Sequence, residues 1–258
     1  LAQWVNYNGY RAMFESGSKH RLGLLIWMSH PCWPSMTWQT YDYYLEPTAA
    51  YFGVKKACEP LHIQWNASTR KMEVVNLHKM VKDSLTAQCE VLDMWGKSIV
   101  KYQQRIEIKP DTTVECMAID ALAIHGTVYY LKMSLFDAQN KVLSDNFYVC
   151  STDEGNFQAL HSLPTAKPTV TFVKDKNKVK IELYNPTDTP AMLIRLQLKG
   201  SDGEQILPVN YTDNYFHLMP HERKTVVIAW EEEDARGVDV QLQLEGMNVP
   251  TAHIPFVR

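Results

Sequence analysis

Residues 128–149 read VYYLKMSLFDAQNKVLSDNFYV and hold two apolar runs around a short polar segment. The runs are 128–136 and 142–149, and Asp137-Ala138-Gln139-Asn140 between them has the composition of a tight turn. Valine, tyrosine, phenylalanine and leucine on both sides of such a turn are typical of a β-hairpin. The sequence therefore predicts an antiparallel pair of strands here.

Other short strands are predicted upstream, over 61–65, 72–77, 85–94 and 99–108. Residues 85–91 (LTAQCEV) alternate apolar and polar side chains, which is the pattern of a strand with one buried face. About seven short strands in about 95 residues, without a strong helical pattern, predict an immunoglobulin-like β-sandwich over 58–153.

The last third of the chain repeats this texture and predicts a second immunoglobulin-like sandwich over 169–258. Residues 154–168 contain two prolines near their end and are predicted to be a linker. The two sandwiches share no obvious short repeat, so they are similar in class without forming a solenoid. The strand candidates are 169–173, 179–184, 191–198, 225–229 and 238–244.

The first 57 residues differ from the rest because they are rich in aromatic residues and carry a helical pattern. Residues 1–15 have spacings of three and four, which predict a helix ended at Ser16-Gly17-Ser18. Residues 22–28 (LGLLIWM) are nearly all apolar, as expected of a strand buried on both faces. A loop rich in Trp and Pro follows over 29–46, and Pro47 begins a second short helix. This order is a piece of an α/β fold, and it is too short to be a domain by itself.

The composition indicates which classes of binding partner to expect. The 258 residues carry a formal net charge of −3 and 45% hydrophobic residues, which suits a soluble protein with sizeable cores. Because there is no basic surplus, we expect no nucleic-acid partner and no anionic membrane surface. The apolar run 24–28 is far too short to span a bilayer.

The cysteines are widely and irregularly spaced and include no Cys-x-x-Cys pair. This spacing does not suit a zinc site, so no metal is expected. An odd number of them predicts mostly buried free thiols that behave as small apolar residues, with room for one disulfide. No glycine-rich phosphate loop is present either, and no cofactor is expected. The cysteines are Cys32, Cys58, Cys89, Cys116 and Cys150.

Several motifs resemble a known family over nearly the whole chain. They are GLLIWM (23–28), CWPS (32–35), YDYYLEP (41–47), YFGVKKACEPLHIQ (51–64), SDNFY (144–148) and TDNYFHLMPHE (212–222). Together they resemble family 2 glycoside hydrolases, most closely the exo-β-D-glucosaminidase and β-mannosidase branch. Ser29-His30-Pro31 departs from the Asn-Asn or Asn-Asp of the relatives, and His221 replaces a Gly of the last motif.

The resemblance implies that residues 1–57 are the C-terminal remnant of a (β/α)8 barrel. Residues 22–28 would be its eighth strand, followed by an active-site loop and the closing helix. The implied retaining reaction needs two glutamates, on barrel strands four and seven. Both would lie upstream of Leu1, so no catalytic residue is expected here and the chain alone is predicted to be inactive. The acids of the remnant, none expected to form the pair, are Glu15, Asp42, Glu46 (assigned to the start of the second helix) and Glu59.

Five residues are predicted to contact the sugar: Trp27, His30, Trp33, Trp38 and Asp42. Trp27 would lie at the C-terminal end of the last barrel strand, where barrel active sites are built. Trp33 and Trp38 share the loop, with packing on the barrel rim as the alternative. His30 would offer a polar contact, unless it is a packed or solvent-facing histidine. For Asp42 the alternative is interdomain packing of its tyrosine-rich neighbourhood.

The favoured interpretation is the C-terminal fragment of a retaining exo-β-glycosidase acting on a β-glucosaminide or β-mannoside. Its partner would be a β-linked glycan bound through the missing barrel, in a periplasmic or extracellular setting. The alternatives are a non-catalytic carbohydrate-binding or structural sandwich protein and a cell-surface adhesion module. A lone barrel strand would have unpaired backbone groups, which predicts poor order, packing on a sandwich, or self-association at residues 22–28.

Overall fold

A computed structural model of the chain describes residues 1–16, 23–35, 38–80, 82–119, 126–153 and 155–256. Strands dominate these ranges, so the predicted mainly β fold is confirmed. The helices are α1 (Ala2–Ser16) and α2 (Ala49–Ala57). The strands are β1 (Leu61–Asn66), β2 (Lys71–Asn76), β3 (Lys82–Asp93), β4 (Ser98–Ile108), β5 (Thr112–Ala118), β6 (Val128–Phe136), β7 (Val142–Ser151), β8 (Thr169–Asp175), β9 (Lys178–Tyr184), β10 (Ala191–Gly200), β11 (Val209–Tyr211), β12 (Phe216–Leu218), β13 (Arg223–Trp230), β14 (Val240–Glu245) and β15 (Ala252–Pro255).

Two compact units make up the chain, and each contains two antiparallel sheets, as immunoglobulin-like sandwiches do. Unit 1 comprises Leu1–Gly9, Ile26–Gly53 and Leu163–Arg258, and unit 2 comprises Tyr10–Leu25 and Val54–Ser162. No helix in the described ranges combines the length and apolarity needed to cross a bilayer.

Unit 2 contains the sheets β1-β2-β5 and β4-β3-β6-β7. The predicted hairpin is confirmed as β6 and β7, which pair from Val128–Ser151 to Phe136–Val142. Alternate residues of these strands point inward and form one apolar core. Its fully buried members include Ile63, Met72, Val74, Ala87, Cys89, Val91, Ile108, Leu131, Met133 and Leu135.

Unit 1 contains the sheets β12-β10-β14-β15 and β11-β13-β9-β8. Its core includes two residues of α2, Ala49 and Phe52, among the inward side chains of both sheets. The ring of Phe52 lies 5.8 Å from that of Tyr215 and 6.4 Å from that of Tyr211. The start of α2 is therefore part of this sandwich core, which positions the residues just before it.

One predicted element is wrong. Residues 23–28 form no strand, and Leu25 and Trp27 expose 104% and 82% of their surface. The apolar run signals a preference for burial, but a strand buried on both faces needs neighbouring strands and covering layers. No strand of the described chain pairs with this run. Leu22 at its start, like Gly17-Ser18 at the predicted end of the first helix, lies outside the described residues.

Smaller differences concern element ends and short strands. The second helix starts at Ala49, two residues after the predicted start at Pro47. Four strands were not predicted, β5, β11, β12 and β15, and two of these are only three residues long. Such short strands are defined by their pairing partners, which a local pattern does not report.

The segment 163–168, from the end of the predicted linker, is part of unit 1. Ala166 is fully buried, and its N–H donates to the carbonyl of Asn248 over 2.9 Å. The side chain of Asn248 donates in turn to the carbonyl of Pro164 over 2.9 Å. Of the five cysteines, all free, Cys89, Cys116 and Cys150 are buried, whereas Cys32 and Cys58 are exposed.

Candidate functional site

A small hairpin over residues 40–48 of unit 1 is the frame of the candidate site. The N–H of Thr48 donates to the carbonyl of Thr40 over 2.9 Å, and that of Asp42 donates to the carbonyl of Glu46 over 3.0 Å. Tyr41 and Pro47 form an antiparallel bridge between these bonds. The chain therefore reverses sharply at residues 43–45.

Asp42 closes the turn of this hairpin. Its Oδ1 accepts the N–H groups of Tyr44 and Glu46, both over 2.9 Å, and Leu45 adopts a φ of 67°. The turns after Asp93 and Asp137 have the same two bonds to their aspartates. Burial raises the pKa of Asp42, against hydrogen bonds from the turn that lower it. The carboxylate thus has a structural task that accounts for its position, and its predicted sugar contact stays a prediction.

The tip of the hairpin presents aromatic rings to solvent. The rings of Tyr43 and Tyr44 meet edge to face, with centroids 5.2 Å apart, and both side chains are exposed. Trp38, just before the stem, is exposed as well, and its backbone N–H donates to the side-chain oxygen of Gln39 over 3.1 Å. Exposed aromatic faces are suited to the apolar faces of sugar rings.

The stem of the hairpin is tied to the segment that follows Trp27. The carbonyl of Ser29 accepts the N–H of Tyr41 over 2.9 Å and the hydroxyl of Thr40 over 3.0 Å. His30 therefore follows a residue that is fixed beside the stem. Its ring Nδ1 lies 3.0 Å from the hydroxyl oxygen of Ser29, and the ring is exposed. These bonds place the backbone of His30 close to that of Asp42.

Trp27 and Trp33 are not joined to the hairpin. Both are exposed, and no hydrogen bond or ring contact within the described part of the chain links them to residues 40–48. Their exposed side chains are accessible to a ligand. Their predicted role stays a prediction.

Glu46 holds the hairpin to the sheet of β10, which the sequence did not predict. Both carboxylate oxygens lie 2.7 Å from Nη2 of Arg195, and both accept the side-chain amide of Gln197 over 3.0 and 3.1 Å. From the sequence, Glu46 was assigned to the start of the second helix, but α2 begins only at Ala49. The carboxylate of Glu46 binds Arg195 instead. The available signal was that Arg195 and Gln197 alternate with apolar residues along the predicted strand 191–198.

The other acids of the first 60 residues are bound in unit 2. Oε1 of Glu15 lies 2.9 Å from Nε2 of His62, and it also accepts the amide of Asn146 and the hydroxyl of Tyr148. Glu59 pairs with Lys56 over 2.8 Å. Each of the four acids therefore has a structural partner.

The described residues do not suggest a metal centre. No group of three or more His, Cys, Asp or Glu side chains within the described ranges is placed to hold an ion.

Comparison with known proteins shows what the chain is similar to. Residues 146–249 match the family model described as the exo-beta-D-glucosaminidase Ig-fold domain. An exo-beta-D-glucosaminidase of Hypocrea jecorina is 30% identical, over 96% of this chain and 31% of the relative. A mannosylglycoprotein endo-beta-mannosidase of Lilium longiflorum is 24% identical, over 98% of this chain and 34% of the relative. The chain thus spans about a third of the length of these relatives.

A solved structure agrees with these sequence matches. The exo-chitosanase CsxA of Amycolatopsis orientalis is 25% identical and superposes with a TM-score of 0.86, over 98% of this chain and 34% of that one. The resemblance inferred from the motifs is confirmed. This chain is a homologue of the C-terminal part of exo-β-D-glucosaminidases and β-mannosidases, and its residues 146–249 match the Ig-fold domain of the exo-β-D-glucosaminidases.

Proposed function

We propose that this chain is the C-terminal part of a retaining exo-β-glycosidase that removes β-linked glucosamine or mannose units from glycans. In this proposal the two sandwiches are accessory domains and residues 26–48 form part of the rim of the sugar site. The observation that carries the proposal is homology over 96% of the chain to a relative named exo-beta-D-glucosaminidase.

Glucosaminides are the preferred substrate class. The glucosaminidase relative has the higher identity of the two sequence relatives, 30% against 24% for the mannosidase, at similar coverage of this chain. The departure at Ser29-His30-Pro31 lies in the segment that would line the sugar site, so assays on both sugars decide the substrate.

The chain is proposed to supply no catalytic carboxylate. A retaining glycosidase needs two carboxyl groups about 5 Å apart, one of them free to attack and the other to transfer a proton. Glu15, Glu46 and Glu59 are bound to cations or polar groups of their own unit, and Asp42 closes a turn. These bonds favour structural tasks for all four acids and leave the reaction to residues outside this chain.

The decisive experiment compares the full gene product, isolated from its source and weighed by mass spectrometry, with this 258-residue chain. Both are assayed on p-nitrophenyl β-D-glucosaminide and β-D-mannoside. We expect a heavier gene product that hydrolyses the glucosaminide with retention of configuration, and no hydrolysis by the chain. Activity of the chain alone, or a native product of the same mass as the chain, would overturn the proposal.

Variants of the full gene product test the predicted sugar contacts. Trp27→Ala, Trp33→Ala, Trp38→Ala and His30→Ala remove one contact each, and Trp95→Ala removes an exposed tryptophan of unit 2 as the matched control. Losing one ring that stacks on a sugar should raise KM by about fivefold, since such a contact contributes about 1 kcal/mol. A residue whose variant behaves like Trp95→Ala is not a sugar contact.

Asp42 needs two variants because it has a structural task. Asp42→Asn keeps the Oδ1 acceptor that closes the turn, whereas Asp42→Ala removes it. If Asp42 also binds the sugar, both variants lose activity. If it only closes the turn, the Asn variant keeps it.

The exposed aromatic rings of the hairpin favour a second candidate, a non-catalytic carbohydrate-binding module. It predicts that the chain alone binds chitosan oligosaccharides in a calorimeter and that Tyr44→Ala weakens this binding. A native gene product without hydrolase activity, together with such binding, would establish this second function in place of the first.

A further inference from the structure

The outer face of the β10–β14 ladder is unusual because its polar side chains are covered. Arg195 and Gln197 of β10 stand directly opposite Glu245 and Gln243 of β14 in the register. Outward residues of a sandwich are normally solvated, but Gln197 and Gln243 expose only 6% and 9% of their surface. The carboxylate of Glu46, from the hairpin 40–48, lies on this face.

The ladder is arranged to receive one carboxylate. The side-chain oxygen of Gln197 accepts the amide of Gln243 over 3.1 Å, so the amide of Gln197 is the end that points to Glu46. Glu245 binds Nη1 of Arg195 over 3.0 Å and so orients the guanidinium, whose Nη2 faces both oxygens of Glu46. We call Arg195 and Gln197 with Glu46 the clasp.

The clasp acts on the part of the hairpin nearest to its aromatic tip. Glu46 is the residue after the tip, and its backbone is bonded to Asp42 on the other side of the turn. The carboxylate is buried, so the charge-assisted bonds to Arg195 are shielded from water and strong. Without Arg195, the carboxylates of Glu46 and Glu245 would share this face with no cation between them.

We propose that Arg195 is a positioning residue for the rim of the sugar site: through Glu46, the last sandwich fixes the hairpin that presents Tyr43, Tyr44 and Trp38. This inference rests on the proposed function. It gives the second sandwich an indirect part in substrate binding, through the hairpin that Arg195 holds.

The test uses the full gene product with Arg195→Met, Arg195→Lys and the double variant Glu46→Gln/Arg195→Met. Misplacement of binding groups by about 1 Å can cost about 100-fold in rate, so we expect Arg195→Met to lower kcat/KM on the β-glucosaminide by about 10- to 100-fold, mainly through KM. Lysine keeps the charge but not the two-pronged geometry, and should restore part of the loss. The double variant should be no worse than Arg195→Met, because both changes break one interaction.

Hydrogen exchange gives a readout that does not depend on activity. In Arg195→Met the amides of residues 41–46 should exchange faster, while those of β6 in unit 2 keep their wild-type rates and report that the protein is folded. Arg223→Met is the matched control, since Arg223 pairs with Glu182 in an exposed ion pair of the same unit. It should change neither kcat/KM nor the exchange of the hairpin.

The measurements distinguish failure of the clasp, failure of the positioning role and failure of the proposed function. Unchanged exchange at 41–46 in Arg195→Met overturns the clasp. Faster exchange with unchanged kcat/KM overturns the positioning role while the proposed function stands. A wild-type gene product without activity on either sugar refutes the proposed function itself, before any variant is compared.

Discussion

Nε2 of His62 lies 2.9 Å from Oε1 of Glu15, and both side chains are almost completely buried in unit 2. The other ring nitrogen, Nδ1, lies 3.4 Å from Oε2 of Glu59. A neutral imidazole has one donor only, so an imidazole that donates to both carboxylates must be protonated. Burial alone would lower the pKa of His62, but the bonds with Glu15 and Glu59 outweigh burial and raise it above 6.5.

This pair predicts how the stability of unit 2 depends on pH. Because the folded pKa of His62 is raised, its contribution is complete below pH 6.5 and is lost as pH rises through the folded value. Burial raises the pKa of Glu15, but His62, Arg11 and Asn146 outweigh it and lower the pKa below 4.5. The contribution of Glu15 is therefore complete above pH 4.5 and is lost as pH falls through its folded value.

The measurement is urea unfolding of the chain between pH 4 and 9, with the exchange of β1 amides as the local probe. We expect unit 2 to be most stable between about pH 4.5 and 6.5, and to lose stability on the alkaline side. His62→Gln should flatten the alkaline slope. The groups around His62 are Glu15 and Arg11 of α1, Glu59, and Asn146 and Tyr148 of β7. If His62→Gln leaves the alkaline slope unchanged, another group sets the pH dependence.

Removing the charge of Glu15 should be far more costly than removing a surface charge. Its carboxylate accepts bonds from His62, Asn146 and Tyr148, and Arg11 supports it electrostatically. Glu15→Gln leaves buried cations without a counter-charge, and breaking a buried pair in this way typically costs about 3–5 kcal/mol of unfolding free energy.

The matched control is Lys71→Gln, which breaks the exposed pair of Lys71 and Glu115 in the same unit. Exposed pairs contribute about 1 kcal/mol or less. Denaturant unfolding of both variants at pH 6 gives the comparison. Equal losses would mean that the buried network around Glu15 relaxes by admitting water.

Gly53 and Gly9 should respond in opposite ways to alanine. A Cβ at Gly53 would collide with the backbone carbonyl oxygen of Tyr7, whereas a Cβ at Gly9 meets nothing within 4 Å. Backbone atoms of α1 have little room to retreat, so Gly53→Ala should destabilise unit 1 by about 1–3 kcal/mol. Gly9→Ala should stabilise it by up to about 1 kcal/mol, since alanine is the better helix former. Thermal unfolding of the two variants tests this prediction. Similar unfolding midpoints would show that α1 and α2 move apart at little cost.

The strands with a clear local signal were the ones the sequence predicted well. β3, β6 and β7 lie within a few residues of their predicted bounds, because the alternation in β3 and the two apolar runs around a tight turn in β6 and β7 are local patterns. β12 was not predicted, because it depends on distant partners: Asn214, just before it, bonds to both backbone groups of Leu196 in β10.

The candidate site shows the same division between local and distant information. The aromatic and polar residue types of the site could be chosen from the sequence, and Trp27, His30, Trp33 and Trp38 are all exposed, while their contact with a sugar stays a prediction. The bond of Glu46 to Arg195 joins residues 149 positions apart, and no local pattern reports such a pair. The apolar run 22–28 shows the limit most clearly, since hydrophobicity signals a need for burial but not what provides it.

His221 occupies a position that calls for glycine, and replacing it should stabilise unit 1. Its φ is 59°, in the left-handed region, at the place where the motif it resembles has Gly. A residue with a Cβ pays roughly 1–2 kcal/mol there. The compensating contact, 3.0 Å from Nε2 to Oδ1 of Asp188, is between exposed side chains and is worth little. His221→Gly should therefore raise the unfolding free energy by about 0.5–1 kcal/mol after the extra backbone entropy of glycine is subtracted. His221→Ala keeps the backbone strain and loses the contact with Asp188, so it should not raise the unfolding free energy. Calorimetry of the two variants therefore separates the effect of the strain from that of the contact. A lower melting temperature for His221→Gly would mean that the pair with Asp188 outweighs the strain.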